Sequence, residues 1–332
     1  MKQFSRKVYR QIWSRVVLYT RSTWLYPFLY KSYWHSLMVS ESWEKRNSDF
    51  YFSARPDPGA GIGHQLANWI AGYWWAEKFK LRFAHFPFST SQWEAFFGFG
   101  ADEVSVKELR VQGFREVKLP LFGQHNQNEL ARTKRIIRSF SGEKVIFVCE
   151  QDQGYMEQFG VMEDIQRKFY AVPMRKLEKL IYSNDCFNIA IHVRRGDIIV
   201  SNENRNDNLR MRWQSNDYFT KVLANVLKTV VTEKPLAIYL FSQGVESDFQ
   251  DFAGFHDLNF CLDMSARDSF LHMAKADLLI TSKSSFSYKP ALLNRGIKVC
   301  PRDFWHGYPE EKDWVLADEN GNFQNEALEV KL

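Results

Sequence analysis

A short apolar run that ends abruptly in charge limits what this chain can fold into more than any other feature. Residues 189–193 have the length and composition of a buried strand in a parallel sheet. They are followed at once by Arg194, Arg195, Gly196 and Asp197. Ligands of open α/β sheets collect beyond the carboxyl ends of the strands, so these side chains are predicted to face a substrate. Two guanidiniums there suit a diphosphate, because a guanidinium donates paired hydrogen bonds to phosphate oxygens.

Strand-like and helix-like segments alternate along most of the chain. Further strands are predicted at 145–148, 236–241, 278–281 and 298–300, and helices at 162–181, 216–231, 268–275 and 290–294. Such alternation predicts an α/β protein with parallel, doubly wound sheets. Because 332 residues suffice for two domains, we predict an N-terminal segment at 1–45 and Rossmann-like domains at 46–182 and 183–332. The active cleft is expected between the two domains.

The composition is that of an ordinary globular protein and argues against several other classes. Hydrophobic residues make up 45% and charged residues 25% of the chain. No apolar run approaches the roughly 18 residues that span a bilayer, and the N-terminus lacks a signal-peptide pattern. The four cysteines are scattered, which predicts reduced thiols and a cytoplasmic protein. A net charge of +5 without a recognised binding module gives no reason to expect nucleic acid as a partner.

The first 40 residues have an unusual charge pattern. They contain seven Lys or Arg and no Asp or Glu. Phe4, Trp13, Val16 and Val17 recur near helical spacing, so an amphipathic helix is predicted up to about Thr20. A basic segment rich in Trp is typical of an anionic membrane interface. It is equally typical of a helix that packs its aromatic face on the globular body, and the sequence leaves both interpretations open.

A glycine-rich stretch precedes a predicted helix that runs to about residue 79. Gly59, Gly61 and Gly63 let the backbone approach a ligand closely, and the N–H groups at a helix start attract phosphate. A dinucleotide fingerprint would need glycine where His64 stands, and no G-K-[ST] sequence follows. The stretch is therefore predicted to be a phosphate cradle of another kind, although such turns often have only a structural role.

Three stretches in this order resemble the fucosyltransferases that use GDP-fucose, which include the α-1,2-fucosyltransferases and the related core α-1,6 and Nod-factor enzymes. Residues 59–66 resemble the glycine-rich first loop, and 191–197 are similar to the H-V-R-R-x-D motif. Ala276-Asp277, followed by 281–287, resembles the third motif, in which a strand ends in a serine pair.

The resemblance implies a GT-B fold, in which two Rossmann-like domains face a central cleft. It also implies inverting transfer of fucose from GDP-fucose to a hydroxyl of a glycan, without a metal or another cofactor. The chain contains no D-x-D sequence that could hold a divalent ion between phosphates. Fixed cations and N–H groups would then have to stabilise the leaving diphosphate.

The resemblance also implies roles for individual residues. Arg194 takes the position of the arginine that binds the β-phosphate, and Arg195 is either a second phosphate contact or a packing partner of Asp197. Inversion needs a base on the acceptor hydroxyl, and the candidates are Asp197, Glu203 and Asp207. The remaining predicted donor contacts are Gly61, Gly63, His64, His192, Ser242, Gln243, Ser284 and Ser285.

Two alternatives remain beside fucose transfer. The same phosphate loops could serve another nucleotide sugar, or the fold could bind a nucleotide sugar or glycan without turnover. A Rossmann oxidoreductase is disfavoured, because the fingerprint fails at His64 and paired arginines have no role in hydride transfer. The predicted partners are a nucleotide sugar, a glycan or lipid-linked oligosaccharide acceptor, and an anionic membrane surface reached through residues 1–40.

Overall fold

The computed structural model describes residues 11–13, 15–16, 18–35, 50–57, 59–140, 142–150, 154–196, 211–324 and 328, with the backbone alone for 32–35. The chain divides into two compact units. The first comprises Met1–Asp57, Asn68–Pro87 and Gly100–Tyr155, and the second comprises Pro58–Ala67, Phe88–Phe99 and Met156–Leu332. The domain boundaries predicted at 45 and 182 stay a prediction.

Eleven strands and nine α-helices have defined bounds among the described residues. The strands are β1 Phe50–Arg55, β2 Arg82–His85, β3 Val104–Ser105, β4 Arg115–Lys118, β5 Val145–Glu150, β6 Phe187–His192, β7 Leu236–Ser242, β8 Leu258–Leu262, β9 Leu278–Ile280, β10 Ile297–Pro301 and β11 Trp314–Ala317. The helices are α1 Tyr26–His35, α2 Ile62–Phe79, α3 Ser91–Phe97, α4 Val106–Val111, α5 Gln127–Arg138, α6 Met162–Ala171, α7 Asn216–Thr229, α8 Ala266–Lys275 and α9 Ser285–Leu293.

The first unit contains a five-stranded parallel sheet in the order β3-β2-β1-β5-β4. Its central strands β1 and β5 are apolar over most of their length and buried, as expected for a parallel sheet covered on both faces. Tyr51 and Ile146 belong to a core cluster that also includes Leu109 of α4. That helix starts at a capping box, in which Ser105 and Glu108 satisfy each other's backbone N–H groups.

The second unit contains a six-stranded parallel sheet in the order β11-β10-β9-β6-β7-β8. From β6 the chain adds β7 and β8 on one side, then returns to add β9, β10 and β11 on the other. The order of the strands therefore reverses between β6 and β9. Such a switch point opens a crevice at the carboxyl ends of the strands. The predicted α/β class, with two parallel sheets of the Rossmann-like kind expected for GT-B, is confirmed.

Two predicted helices have clearly different bounds in the structure, and each of them has a proline within its predicted bounds. The helix predicted at 162–181 ends at Ala171, because Pro173 disfavours helical geometry at Val172, whose ψ is 122°. A short 3₁₀ turn, Pro173–Lys176, follows. The helix predicted to begin at Pro290 instead begins at Ser285 and carries Pro290 inside it. Its start is set by Ser284, whose side chain caps the first turn.

The N-terminal segment is helical where it is described between residues 11 and 19, and α1 follows after a turn. No helix among the described residues has the length and apolarity that a membrane crossing requires.

Candidate functional site

A cavity of about 420 Å³ lies at the carboxyl edge of the second sheet, beside the switch point. All of its lining residues belong to the second unit. They include every predicted donor contact, together with residues that the sequence did not indicate. The lining residues are Gly61, Ile62, Gly63, His64, His192, Val193, Arg194, Arg195, Arg212, Phe241, Ser242, Gln243, Met264, Ala266, Ser269, Ser284, Ser285 and Phe286.

The end of β6 is held in place by its neighbour β7. All six residues of β6 are buried, which fixes the position where the strand emerges at the cavity. Beyond the strand, the amide of Val193 donates to the carbonyl of Phe241 at 3.0 Å. The hydroxyl of Ser242 donates to the carbonyl of Val193 at 2.7 Å. The predicted donor contact Ser242 therefore stabilises the strand end, and its role toward a ligand stays a prediction.

Arg194 is anchored to the serine turn that follows β9. Its Nη1 donates to the hydroxyl of Ser284 at 3.0 Å, and the same hydroxyl accepts the amide of Phe286 at 3.2 Å. Ser284 is fully buried, so its side chain positions the guanidinium and caps α9. Ser285 is half-exposed beside it, and its hydroxyl has no hydrogen-bond partner among the described residues. Ser284 therefore supports Arg194 and the first turn of α9, whereas the hydroxyl of Ser285 is open to the cavity.

Arg195 has a different environment from Arg194. Its side chain is buried and donates to the carbonyls of Arg194 and Gln214 and to the side-chain oxygen of Asn216. The guanidinium also lies over the ring of Trp213, 4.4 Å from the centroid. Burial lowers the pKa of Arg195 to about 10, against an opposing effect of the Asp248 charge. Arg195 remains a cation at neutral pH and ties the strand end to residues 213–216, a role that the sequence did not indicate.

His192 is a buried, neutral residue. Its Nδ1 lies 2.7 Å from the hydroxyl of Ser282, and its ring is 5.5 Å from that of Phe286. Burial, followed by the charges of Arg194 and Arg195, lowers the pKa of His192 from 6.5 to about 3. An imidazole in this state can exchange hydrogen bonds but carries no charge at neutral pH.

The glycine-rich stretch forms the first turn of α2 and closes one side of the cavity. A Cβ on Gly63 would lie 2.7 Å from the carbonyl carbon of Ser285, so only glycine allows α2 and α9 to approach this closely. A Cβ on Gly61 would have no neighbour within 4 Å. His64 also lines the cavity, and its imidazole makes no hydrogen bond to the described residues.

Two buried glutamines hold the loops together. The side-chain nitrogen of Gln65 donates to the carbonyl of Ala60 at 2.8 Å and to the hydroxyl of Ser89 at 2.9 Å. The side-chain oxygen of Gln214 accepts the amide of Lys283 at 2.7 Å. Sequence reasoning missed both, because a glutamine in a polar stretch carries no signal that distinguishes a buried bridge from a solvated side chain.

Arg212 is a third cation at the cavity and was also missed. It follows the polar stretch 201–208, which the sequence identified only as a loop near the site. The predicted catalytic residues Asp197 and Glu203, and the alternative Asp207, lie outside the described residues, so their roles stay predictions. Asp277, part of the third motif, lies at the opposite end of β9, where its carboxylate accepts the amide of Asn188 at 2.7 Å. It joins the amino ends of two strands and is remote from the cavity edge.

The described lining of the cavity is rich in arginine. Its described lining residues include three arginines and no carboxylate. The first turns of α2 and α9 also contribute residues, and helix N-termini carry unsatisfied N–H groups and a partial positive charge. Fold and site together define an α/β protein with an arginine-lined pocket at the switch point of a parallel sheet.

No protein-family model and no curated protein matches the chain. The chain is similar to NodZ α-1,6-fucosyltransferase soaked with GDP-fucose, at 14% identity and a TM-score of 0.43 over 75% of this chain and 93% of that one. It is similar to POFUT1 in complex with GDP, at 10% identity and a TM-score of 0.47 over 76% and 98%. A third similar structure is FUT1 of Arabidopsis thaliana in complex with GDP, at 10% identity and a TM-score of 0.42 over 82% and 73%.

Proposed function

We propose that the protein is a glycosyltransferase that uses a nucleoside-diphosphate sugar, with GDP-fucose as the donor. The observation that carries this proposal is the set of three arginines and two helix N-termini that line the cavity at the switch point. Guanidiniums and the N–H groups of helix N-termini are the groups that bind a diphosphate in proteins. The similarity of residues 191–197 to the H-V-R-R-x-D motif supports GDP-fucose among the nucleotide sugars.

In the proposed reaction the acceptor hydroxyl attacks the anomeric carbon of the sugar and the bond to the β-phosphate breaks. The configuration at that carbon inverts, the diphosphate leaves with the bonding electrons, and a base takes the hydroxyl proton. Arg194 stabilises the charge that develops on the leaving phosphate, because Ser284 already holds its guanidinium at the cavity. This arrangement supplies by fixed cations what a divalent metal would otherwise supply, so the proposed reaction is independent of metal.

The base is proposed to be Asp197 or Glu203, as the sequence suggests. Among the described lining residues, His64 is the competing candidate. An imidazole serves as a general base near neutral pH, whereas His192 is withheld from this role by its low pKa of about 3. Replacing each of the three by its amide or by glutamine would separate them, since loss of the base lowers kcat while leaving the affinity for the nucleotide in place.

For the acceptor we propose a glycan hydroxyl, on a free or lipid-linked oligosaccharide, and for the location the cytoplasm. Cys149, Cys261 and Cys300 are buried, Cys186 is half-buried, and none of the four forms a disulfide, which is the pattern expected of a reducing compartment.

The experiment is a thermal-shift panel of GDP, GDP-fucose, GDP-mannose, UDP and ADP on the purified protein, followed by a transfer assay with GDP-fucose. A ligand at 100 times its dissociation constant stabilises the folded protein by about 2.7 kcal/mol, so the melting temperature rises. We expect the largest shifts with guanosine diphosphates and transfer that continues in EDTA.

Three outcomes would change the proposal in different ways. A rise in melting temperature with another nucleotide and none with GDP would show that the donor carries that other nucleotide. Binding of GDP-fucose without release of GDP or transfer to any acceptor would favour a non-catalytic binding protein. Transfer that stops in EDTA and returns with magnesium or manganese would contradict the metal-independent mechanism.

A further inference from the structure

The N-terminal segment exposes a concentrated set of apolar side chains. Of seventeen large hydrophobic side chains that are exposed in the described residues, seven fall between residues 12 and 28. We call this set the N-terminal apolar face, and its members are Ile12, Val16, Leu18, Tyr19, Trp24, Leu25 and Phe28. Tyr19 is 93% exposed and Trp24 is 72% exposed. Single exposed apolar residues are normal on a protein surface, but such a concentration marks an interaction site.

The same segment has an inner side that is part of the first unit. Tyr26 and Tyr30 of α1 are buried, and the guanidinium of Arg132 on α5 lies 5.5 Å from the ring centroid of Tyr26. Lys31 donates to the carbonyl of Ser139 at 2.9 Å. The segment is therefore fastened to α5 by buried aromatic residues and hydrogen bonds. Its exposed aromatic residues are not the ones that complete the core, so the two interpretations left open by the sequence apply to different residues of one segment.

The charge of the segment identifies the kind of partner. The first 40 residues carry seven basic and no acidic side chains. Arg15 is exposed among the apolar residues. Arg21 is held at 3.0 Å from Glu129, and it lines a surface cavity together with Arg132. A partner that covers this face must offer apolar depth and negative charge over a broad surface.

An anionic lipid bilayer meets both requirements. Trp and Tyr combine an apolar ring with a polar N–H or O–H group, which suits the level of the headgroups. A second copy of the chain fits less well, since an isologous dimer brings identical surfaces together and would place the basic segments of both copies against each other. We infer that the N-terminal apolar face docks on the surface of an anionic bilayer, with Tyr19 and Trp24 inserted among the headgroups.

This inference goes beyond the proposed function and does not depend on which donor the cavity binds. A basic residue near an anionic leaflet contributes about 1 kcal/mol, which is about fivefold in partition. Withdrawing several large apolar side chains from water contributes at least about tenfold more. The expected attachment is reversible, weaker in high salt, and weak on neutral vesicles.

The test is cosedimentation of the full chain with phosphatidylcholine vesicles that contain or lack phosphatidylglycerol. The variant combines Ile12→Ser, Tyr19→Ser and Trp24→Ser. The matched control combines Val111→Ser, Leu177→Ser and Val231→Ser, three equally exposed apolar positions elsewhere. We expect the first variant to lose at least about tenfold in partition to anionic vesicles, and the control to bind as the unchanged protein does.

A charge variant completes the test and remains informative if the triple variant does not fold. Arg15→Gln should weaken binding to anionic vesicles about fivefold and leave binding to neutral vesicles unchanged, whereas Lys107→Gln at another exposed position should change neither. Unaltered binding in Arg15→Gln, or in a folded triple variant, would overturn the inference. So would a dimer that forms in the absence of lipid, is lost in the triple variant, and shows no vesicle binding.

Discussion

The two parallel sheets resemble each other in architecture and differ in how charge is balanced at the carboxyl ends of their strands. In the first sheet, Arg55 at the end of β1 pairs with Glu116 at 2.5 Å. Lys118 at the end of β4 pairs with Glu150 at the end of β5. Each cation at this edge has a carboxylate beside it. The first sheet therefore offers an incoming anion little uncompensated charge.

In the second sheet the corresponding edge is lined by arginines. Arg194 and Arg212 line the cavity, and no carboxylate lines it among the described residues. Arg194 donates to the hydroxyl of Ser284, which orients the guanidinium at the cavity. Both parallel sheets provide an edge where ligands can bind, and the two units differ in the side chains that they place at that edge.

The largest expected effect is a difference in activity between variants of Arg194, at the edge of the second sheet, and of Arg55, at the edge of the first. Arg194→Ala should lower transferase activity by about 10² to 10³, because it removes a fixed donor from the charge that develops on the leaving diphosphate. Arg55→Ala is the matched control at the edge of the first sheet, where an ion pair with a half-exposed guanidinium contributes about 0–1 kcal/mol to stability. Its activity should stay within about twofold of the unchanged enzyme. Steady-state kinetics with GDP-fucose would show this, and equal losses in both variants would contradict the contrast.

The second prediction separates Arg195 from Arg194. Arg195→Ala leaves the carbonyls of Arg194 and Gln214 without their buried donor, so the free energy of unfolding should fall by about 3 kcal/mol. Arg195→Lys should recover little of it, because a single ammonium cannot replace the fork or its stacking on Trp213. Urea unfolding measures both, with Arg194→Ala as the comparison that keeps nearly full stability. If Arg195→Ala instead lost activity at full stability, the guanidinium would be a phosphate contact.

How much of the fold could be predicted from the sequence depends on how far apart along the chain the interacting residues lie. The strand that ends at His192 and the helices after it were predictable, because apolar runs and their periodicity are local signals. The start of α9 was not predicted, because proline is common at the first helical position and Pro290 indicated a start six residues after the cap at Ser284. The early end of α6 follows from Pro173 and was missed because the periodicity beyond it continued.

The candidate site was predicted through its charged and glycine residues and not through the residues that hold them. Arg194 stands in a motif, but the partner that orients it lies 90 residues further along the chain. Arg195 has the same side chain in different surroundings, because Trp213, Gln214 and Asn216 contact its buried guanidinium. Gln65 and Gln214 had no local signal, because their bridges join segments that the sheet brings together.

The third prediction concerns the close approach of α2 and α9 beside the cavity. Gly63→Ala forces a Cβ against the backbone of Ser285 and should destabilise the protein by about 1–3 kcal/mol while weakening nucleotide binding. Gly72→Ala is the control in the first unit, where a Cβ would meet Ala54 at 2.4 Å. It should lower stability and leave nucleotide affinity unchanged. Gly61→Ala should leave stability unchanged, because its Cβ has open space. It should weaken nucleotide binding, because Gly61 lines the cavity. Melting temperatures and GDP titrations distinguish the three, and a Gly72→Ala variant with impaired GDP binding would contradict the assignment of the site.

The last prediction uses His192 as a reporter of the charge at the second edge. Burial, followed by the charges of Arg194 and Arg195, lowers the pKa of His192 from 6.5 to about 3 in the folded protein. Between these pH values the unfolded chain binds a proton that the folded chain does not, so stability falls as the pH falls, by about 1.4 kcal/mol per pH unit. Above pH 6.5 this contribution is fully present. His192→Gln removes it, and the difference in unfolding free energy between the two proteins should therefore shrink by about 2 kcal/mol between pH 7 and pH 5. Urea unfolding at both pH values measures the change.

In an Arg194→Ala background the change should be smaller but still present, because burial is the larger cause of the low pKa of His192. A difference that stays constant between pH 7 and pH 5 would show that His192 titrates alike in the folded and unfolded chain, and would contradict its assignment as a buried neutral imidazole beside the two arginines.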